Sequence, residues 1–264
     1  MPDSARPSVF VHLLPGLIPP GSLRGGVAVV LDVLRATTTM VHALAAGCLA
    51  VVPCGEIDEA LRVASALPTG SALLAGERVG LPIQGFDLGN SPSEFTPEVC
   101  RGKTLVVTTT NGTRAILACL DAERVIVGAF VNLRATILEL SGAGRPVHLV
   151  CAGTDGRISC DDTLLAGRIA SGLRERGMSW GNDEAWIASG YDSSCLPTRG
   201  EDASEARVSA LSTGRGGRRL TELGLTADIR DSAAIDRFDL VAELRRDPPR
   251  IVASDSDSMG RDRS

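Results

Sequence analysis

The sequence predicts an α/β protein, a mainly parallel sheet layered with helices and followed by a helical C-terminal third. Three observations predict it. Short runs rich in Val and Leu alternate with longer stretches of helical spacing. The runs are apolar at successive positions, which marks strands buried on both faces, as in a parallel sheet. Aromatic residues are 3% of a chain that is 44% hydrophobic, so Val, Leu, Ile and Ala must fill the interior.

In chain order, strands are expected near 8–13 (SVFVHL), 27–33 (VAVVLDV), 49–53 (LAVVP), 71–75 (SALLA), 104–109 (TLVVTT), 124–128 (RVIVG) and 146–151 (PVHLVC). Helical spacing follows near 36–46, 56–67, 112–120, 132–141 and 159–176. After residue 178 the pattern turns helical, from DEAWIAS through EARVSALS to GRRLTEL. The end of the chain, ASDSDSMGRDRS, has little to bury and is expected to be a disordered tail over 253–264. Residues 8–252 are read as one catalytic unit; the alternative is two closely packed lobes with a boundary near 142–146. His12, His42 and His148 lie in apolar runs and are read as core residues. Trp180, Trp186 and Tyr191 are expected to pack a helix onto the sheet.

Composition excludes several function classes. The 264 residues carry a net charge of -5 with both signs scattered, and no basic stripe with interleaved aromatics is visible, which argues against a nucleic-acid partner. No apolar run approaches the roughly 20 residues of a membrane span. The start, MPDSARPS, lacks a signal-peptide core. The seven cysteines (48, 54, 100, 119, 151, 160 and 195) include no CxxC pair, so free thiols and a cytoplasmic location are expected. A homo-oligomer stays open, because the helical third can pack internally or against another subunit.

In an open α/β sheet, ligands gather beyond the carboxyl ends of the strands. Four strand-to-helix seams carry polar clusters there. The first, VAVVLDVLRATTT, places Asp32 at the strand end, Arg35 in the turn, and Thr37, Thr38 and Thr39 in the first helical turn. Free N–H groups at a helix start attract an anion, and a guanidinium can grip two oxygens. Asp32 would repel that anion, so it is cast as metal ligand or nucleophile. The plainer reading makes Thr37 a cap and pairs Asp32 with Arg35. The second seam, TLVVTTTNGTRAI, repeats the design with Thr108, Thr109, Thr110, Asn111, Gly112 and Thr113. The third, SALLAGERVGLPIQGFDLGNSPSEF, is a long glycine-punctuated loop with Glu77, Arg78, Asn90 and Ser91; such loops are uncommon unless functional. The fourth, VHLVCAGTDGRISCDDTLLAG, runs from Cys151 through Gly153 to Ser159, an N-cap candidate, and then Asp161 and Asp162. Two acids in a first turn suit the helix dipole or a hard cation such as magnesium.

Together, VVLDVLRATTT, GERVGLPIQGFDLGNSPSEF, TTTNGTRA and CAGTDGRISCDDTLLAG resemble the 2-phosphosulfolactate phosphatase family of coenzyme M biosynthesis. The stretch RRLTELGLTADIRDSAAIDRFDLV is similar to the family's C-terminal region. The resemblance implies a Mg2+-dependent phosphatase that hydrolyses 2-phospho-3-sulfolactate to 3-sulfolactate and phosphate, with a related 2-phospho acid as the other substrate candidate. It assigns catalytic roles to Asp32, Arg35, Glu77 and Arg78. Substrate contacts fall to Thr37, Thr38, Asn90, Ser91, Thr110, Asn111, Gly112, Thr113 and Gly153, and magnesium to some of Asp32, Glu77, Asp161 and Asp162. Arg114 is a further cation for the substrate's charges. The chain departs from the family's Ser-x-Glu-Asp pattern at Asp161, one methylene shorter than glutamate. The second aspartate of haloacid-dehalogenase-type phosphatases is absent; that position is Leu34. Two alternatives stand beside this reading: a cysteine-dependent phosphatase built on Cys151-x5-Arg157, and a non-catalytic binding protein for a phosphorylated metabolite.

Overall fold

The computed structural model describes residues 7–195 and 202–254. The chain begins with β1 (Ser8–His12), β2 (Val27–Leu31), α1 (Ala36–Ala45), β3 (Ala50–Pro53), α2 (Ile57–Ala66), β4 (Ala72–Arg78) and β5 (Leu81–Pro82). It continues through α3 (Pro97–Cys100), β6 (Thr104–Thr108), α4 (Gly112–Ala118), β7 (Arg124–Gly128), α5 (Leu133–Ser141), β8 (Val147–Cys151) and α6 (Cys160–Glu175). The last part holds β9 (Ser179–Trp180), α7 (Asp183–Cys195), α8 (Asp202–Thr213), α9 (Arg215–Glu222), α10 (Thr226–Ala233), β10 (Val241–Arg246) and β11 (Pro249–Ser254).

Doubly buried strands explain the continuous apolar runs. Every residue of β2 is buried, and alternate side chains enter different cores. Val29 and Leu31 pack with Leu165 and Ile169 of α6, whereas Ala28 and Val30 pack with Met40 of α1 and Ile116 of α4. The sheet that results is large, mixed and mostly parallel, in the order β5-β4-β6-β3-β11-β10-β7-β2-β8-β1-β9. One wing pairs β4, β6 and β3 in parallel. The other pairs β7, β2, β8, β1 and β9 in parallel.

The seven expected strands and five expected helices form, with ends shifted by at most three residues. The C-terminal part carries the expected helices and, in addition, strands that the sequence did not announce. Helices do follow residue 178, but β9 precedes them, and the chain ends in the hairpin β10–β11, which joins the two wings by antiparallel pairing to β7 and β3. Counted through those pairings, the wings run in opposite senses. Ala253 and Ser254, expected in a disordered tail, pair with Ala242 and Val241; residues 255–264 lie outside the described residues. Residues 142–146 form the link between α5 and β8. Among the described residues no helix is long and apolar enough to cross a membrane.

Candidate active site

The carboxyl end of β2 in one wing meets the carboxyl end of β6 in the other. A Cβ on Gly112, the first residue of α4, would lie 2.8 Å from Asp32 Oδ2 and 2.6 Å from the Ala36 Cβ. Only glycine allows the two seams to approach so closely. The turn after β2 is built from its own side chains. The Thr37 hydroxyl donates to the Asp32 carbonyl (2.9 Å) and accepts from the Asp32 N–H (3.0 Å), while Asp32 Oδ1 accepts from the Ala36 N–H (3.2 Å). Thr38 donates to the Val33 carbonyl and Thr39 to the Asn90 carbonyl, both at 2.9 Å. These three hydroxyls close the turn and anchor the Asn90 loop.

Four buried acids gather around this point, each held by backbone or hydroxyl donors. Asp162 accepts from the Val33 N–H at Oδ1 (2.8 Å) and from the Gly153 N–H at Oδ2 (2.9 Å), tying the ends of β2 and β8 together. Asp161 accepts from the Ser159 hydroxyl at Oδ1. Glu77 accepts from the Thr110 N–H and the Gly80 N–H, both at 2.7 Å, which fixes the β4–β5 turn against the end of β6. Burial, then the charges of Asp161 and Glu77, push the Asp32 carboxyl up to about 7, against the Ala36 N–H and Arg35. Burial raises Asp161, with Ser159 and backbone donors opposing. Burial and the neighbouring Asp161 and Asp32 hold Asp162 well above the carboxylate range. Like charges withdrawn from water are stable only as protonated acids or beside a cation.

The basic residues divide into two groups. Arg35 is buried, and its guanidinium donates to Asp228 Oδ2 (2.6 Å), Ser91 Oγ (3.2 Å) and the Gly80 carbonyl (2.9 Å). Ser91 also donates to Asp228 Oδ2 (2.8 Å). Arg78 clamps β4 to β6 through the Glu77 carbonyl (2.8 Å) and Thr108 Oγ1 (2.9 Å). Arg114 is exposed on α4, 3.9 Å from Glu56, away from the acids. Sequence reading missed Asp228 of α10 and three arginines of α9.

A cavity of about 500 Å³ opens over Asp32 and Glu77. Asp32, Glu77, Arg35 and Asn90 line it on the sheet side with Thr109, Thr110 and Asn111, and Arg215, Arg218, Arg219 and Glu222 line it from α9. Two buried oxygens in this lining, Asn90 Oδ1 and Thr110 Oγ1, have no hydrogen-bond partner. Orphaned buried polar atoms beside a cavity mark places where a ligand completes the bonding. Thr37, Thr38 and Gly153 have their polar groups engaged by the fold, and Thr113 donates to the Thr109 carbonyl (2.9 Å).

Other groups stay out of the site. Cys151 is buried at the end of β8, and burial with Asp162 and Asp161 raises its thiol far above the reactive range. The Thr154 and Arg157 backbones bond to each other, and Arg157 is exposed, so no phosphate cradle forms around that sulfur. All seven cysteines are free thiols. His12 Nε2 and His148 Nδ1 lie 3.1 Å apart beneath Phe10, in a second cavity of about 440 Å³. Trp180 packs edge-on against Trp186, with Arg174 stacked over it. Among the described residues no three His, Cys, Asp or Glu side chains converge in a preformed metal cage.

Comparison with known proteins adds independent findings. A family profile described as 2-phosphosulpholactate phosphatase matches residues 12–247. The chain is 39% identical over 217 residues to a probable 2-phosphosulfolactate phosphatase of Caldanaerobacter subterraneus subsp. tengcongensis, covering 82% of this chain and 87% of that one. It is 38% identical over 217 residues to a protein of the same description in Thermotoga petrophila, covering 82% and 88%. The corresponding Synechocystis sp. protein is 42% identical over 183 residues, covering 68% and 76%.

Proposed function

The chain belongs to the 2-phosphosulfolactate phosphatase family, and on that premise we propose that it is a magnesium-dependent phosphoric monoester hydrolase converting 2-phospho-3-sulfolactate to 3-sulfolactate and phosphate. One observation carries the reading. Asp32, at the end of a central strand, faces a 500 Å³ cavity while crowded by Asp161 and Glu77.

Magnesium fits this donor set. The donors are all oxygens, and Mg2+ takes one or two carboxylates with water and substrate oxygens, needing no all-protein cage. Asp32, through Oδ2, and Asp161 would hold it. When bound, the ion supplies charge neutralisation at the phosphoryl oxygens and orients a water. Glu77 and Asp162 accept backbone donors at both oxygens, so their part is to fix the surrounding loops. The Thr110 hydroxyl is left to donate to a phosphoryl oxygen, and Asn90 Oδ1, an acceptor, is left for a water or another donor in the cavity. Arg35, held by Asp228, sets the Gly80 carbonyl and the Ser91 hydroxyl at the edge of the cavity. Phosphoryl transfer requires mainly such positioning and charge neutralisation.

The deciding measurement is phosphate release from synthetic 2-phospho-3-sulfolactate with Mg2+, abolished by EDTA and retained in Cys151→Ser. An enzyme releasing no phosphate from any of a panel of small esters would leave a binding protein as the correct description.

A further inference from the structure

Three arginines of α9 line the same cavity as Asp32 and Glu77. The cations expected from the first, third and second seams are otherwise engaged. Arg35 is neutralised by Asp228, Arg78 is bonded to β4 and β6, and Arg114 lies exposed beside Glu56. Among the described residues, neither Arg215 nor Arg218 has a carboxylate at ion-pair distance. The nearest acid to Arg219 is Glu222 at 3.9 Å. Arg218 donates to the Thr213 carbonyl. Arg219 donates to the Val79 carbonyl (3.2 Å), and its Nε is buried without a partner.

The helix is docked for a purpose that its own stability does not explain. Gly216 and Gly217 lie within it, and glycine in a helix costs about 1 kcal/mol relative to alanine. A Cβ on Gly217 would overlap the Leu211 carbonyl oxygen, and one on Gly216 would touch Asp161 Oδ1 and Leu34 at 3.6 Å. Gly217 lets α9 pack tightly on the end of α8, and that docking leaves the Gly216 backbone beside Asp161. Arg219 also ties α9 to the Val79–Gly80 turn, which Glu77 and Arg35 hold from the other side. The arginine wall is thus registered to the acid floor.

We propose that α9 is the substrate-selecting wall of this site, with Arg215 and Arg218 taking the sulfonate on the carbon next to the phosphorylated one. The inference rests on the phosphatase reading for the substrate's identity. A substrate with phosphate, carboxylate and sulfonate needs cations beyond those at the phosphoryl group, and a guanidinium fork matches a flat or tripod oxyanion. The wall then makes the enzyme prefer phosphate esters that carry a second strong anion over simple ones.

The test separates binding from turnover. Calorimetry with 3-sulfolactate and with lactate reads the wall directly, using the full chain with Mg2+ present. Wild type should bind 3-sulfolactate at least about tenfold more tightly than lactate, and the double variant Arg215→Gln/Arg218→Gln should lose about tenfold to a hundredfold for 3-sulfolactate. Its affinity for lactate should move by less than about twofold, and Arg218→Lys should fall in between because it keeps charge without the fork. Steady-state kinetics with 2-phospho-3-sulfolactate and 2-phospholactate should repeat the pattern in KM. Equal losses for both ligands, or no loss for either, would overturn the assignment. If neither ester turns over while the calorimetric contrast stands, the phosphatase reading fails and the wall remains. Unfolding midpoints of the variants, and Arg218→Lys as the milder change, separate lost contacts from a disturbed helix.

Discussion

After β2 and after β6 the chain writes nearly the same phrase, a strand, a row of three threonines and a helix, yet the two rows behave differently. Following β2, Thr37, Thr38 and Thr39 all turn their hydroxyls onto backbone groups. Following β6, Thr108 receives Arg78 and Thr109 receives the Thr113 N–H (3.2 Å), but Thr110 Oγ1 is buried beside the cavity with no partner. Threonine at a strand-to-helix seam satisfies the helix's free N–H groups and neighbouring carbonyls by default. Function lies in the polar groups left over once that has been done. In the first seam the remainder is the Asp32 carboxyl; in the second it is Thr110.

The largest expected effect tests the first remainder. Asp32→Asn keeps the shape and removes the charge, and should lower kcat by about a hundredfold to ten-thousandfold. A variant retaining most of its turnover would move the chemistry to the other seam. Next in size is the support beneath Arg35. Asp228→Ala leaves a guanidinium with 4% exposure uncompensated, and breaking a buried ion pair on one side costs about 3–5 kcal/mol. Urea unfolding measures it; a cost below roughly 1 kcal/mol would mean that Ser91 and the Gly80 carbonyl suffice on their own.

The third effect concerns pH in the chelated protein. Asp32 holds its proton up to about 7 in the folded state, whereas in the unfolded chain it releases it near 4. Between those values the folded state binds more protons, so stability falls as pH rises, fully by pH above about 7. The expected loss is on the order of 1–4 kcal/mol, and Asp32→Asn should flatten the curve. Mg2+ should restore stability in wild type at pH 8 and not in the variant. A wild-type curve parallel to the variant's would show that the acids are not crowded as the geometry requires.

Much of this was legible because its causes are local. β2 and β8 are buried on both faces, so the sequence writes continuous apolar runs. Asp32, Asp161 and Asp162 sit at strand-to-helix seams, where position alone marks them. The hairpin β10–β11 was not legible. Its turn, RRDPPR, carries charges and two prolines, which read as a break, and its partners lie far away in sequence. The role of Arg35 was hidden for the same reason: Asp228 is 193 residues distant. The α9 arginines fall in and just before GRRLTEL, where the sequence shows only helical spacing. The available signal was glycine inside a helix, a local penalty that close packing on α8 explains at Gly217.

The smallest expected effects put the two threonine rows against each other. Thr37→Val removes a hydroxyl with two buried partners and strands the Asp32 N–H, so stability should fall by about 1–3 kcal/mol. Thr110→Val removes a hydroxyl that has no partner, so stability should hold or rise slightly, since a buried polar group without a bond is itself a cost. The functional signs reverse. Thr110→Val should raise KM or lower kcat by about tenfold, the worth of one hydrogen bond to a charged phosphoryl oxygen. Thr37→Val, once folded, should lose activity only as far as Asp32 shifts with its backbone. Unfolding curves and steady-state kinetics on the two variants, read together, decide the comparison. If Thr110→Val unfolds early and keeps its activity, the second row is a closed turn like the first, and the phosphoryl group has its partners elsewhere.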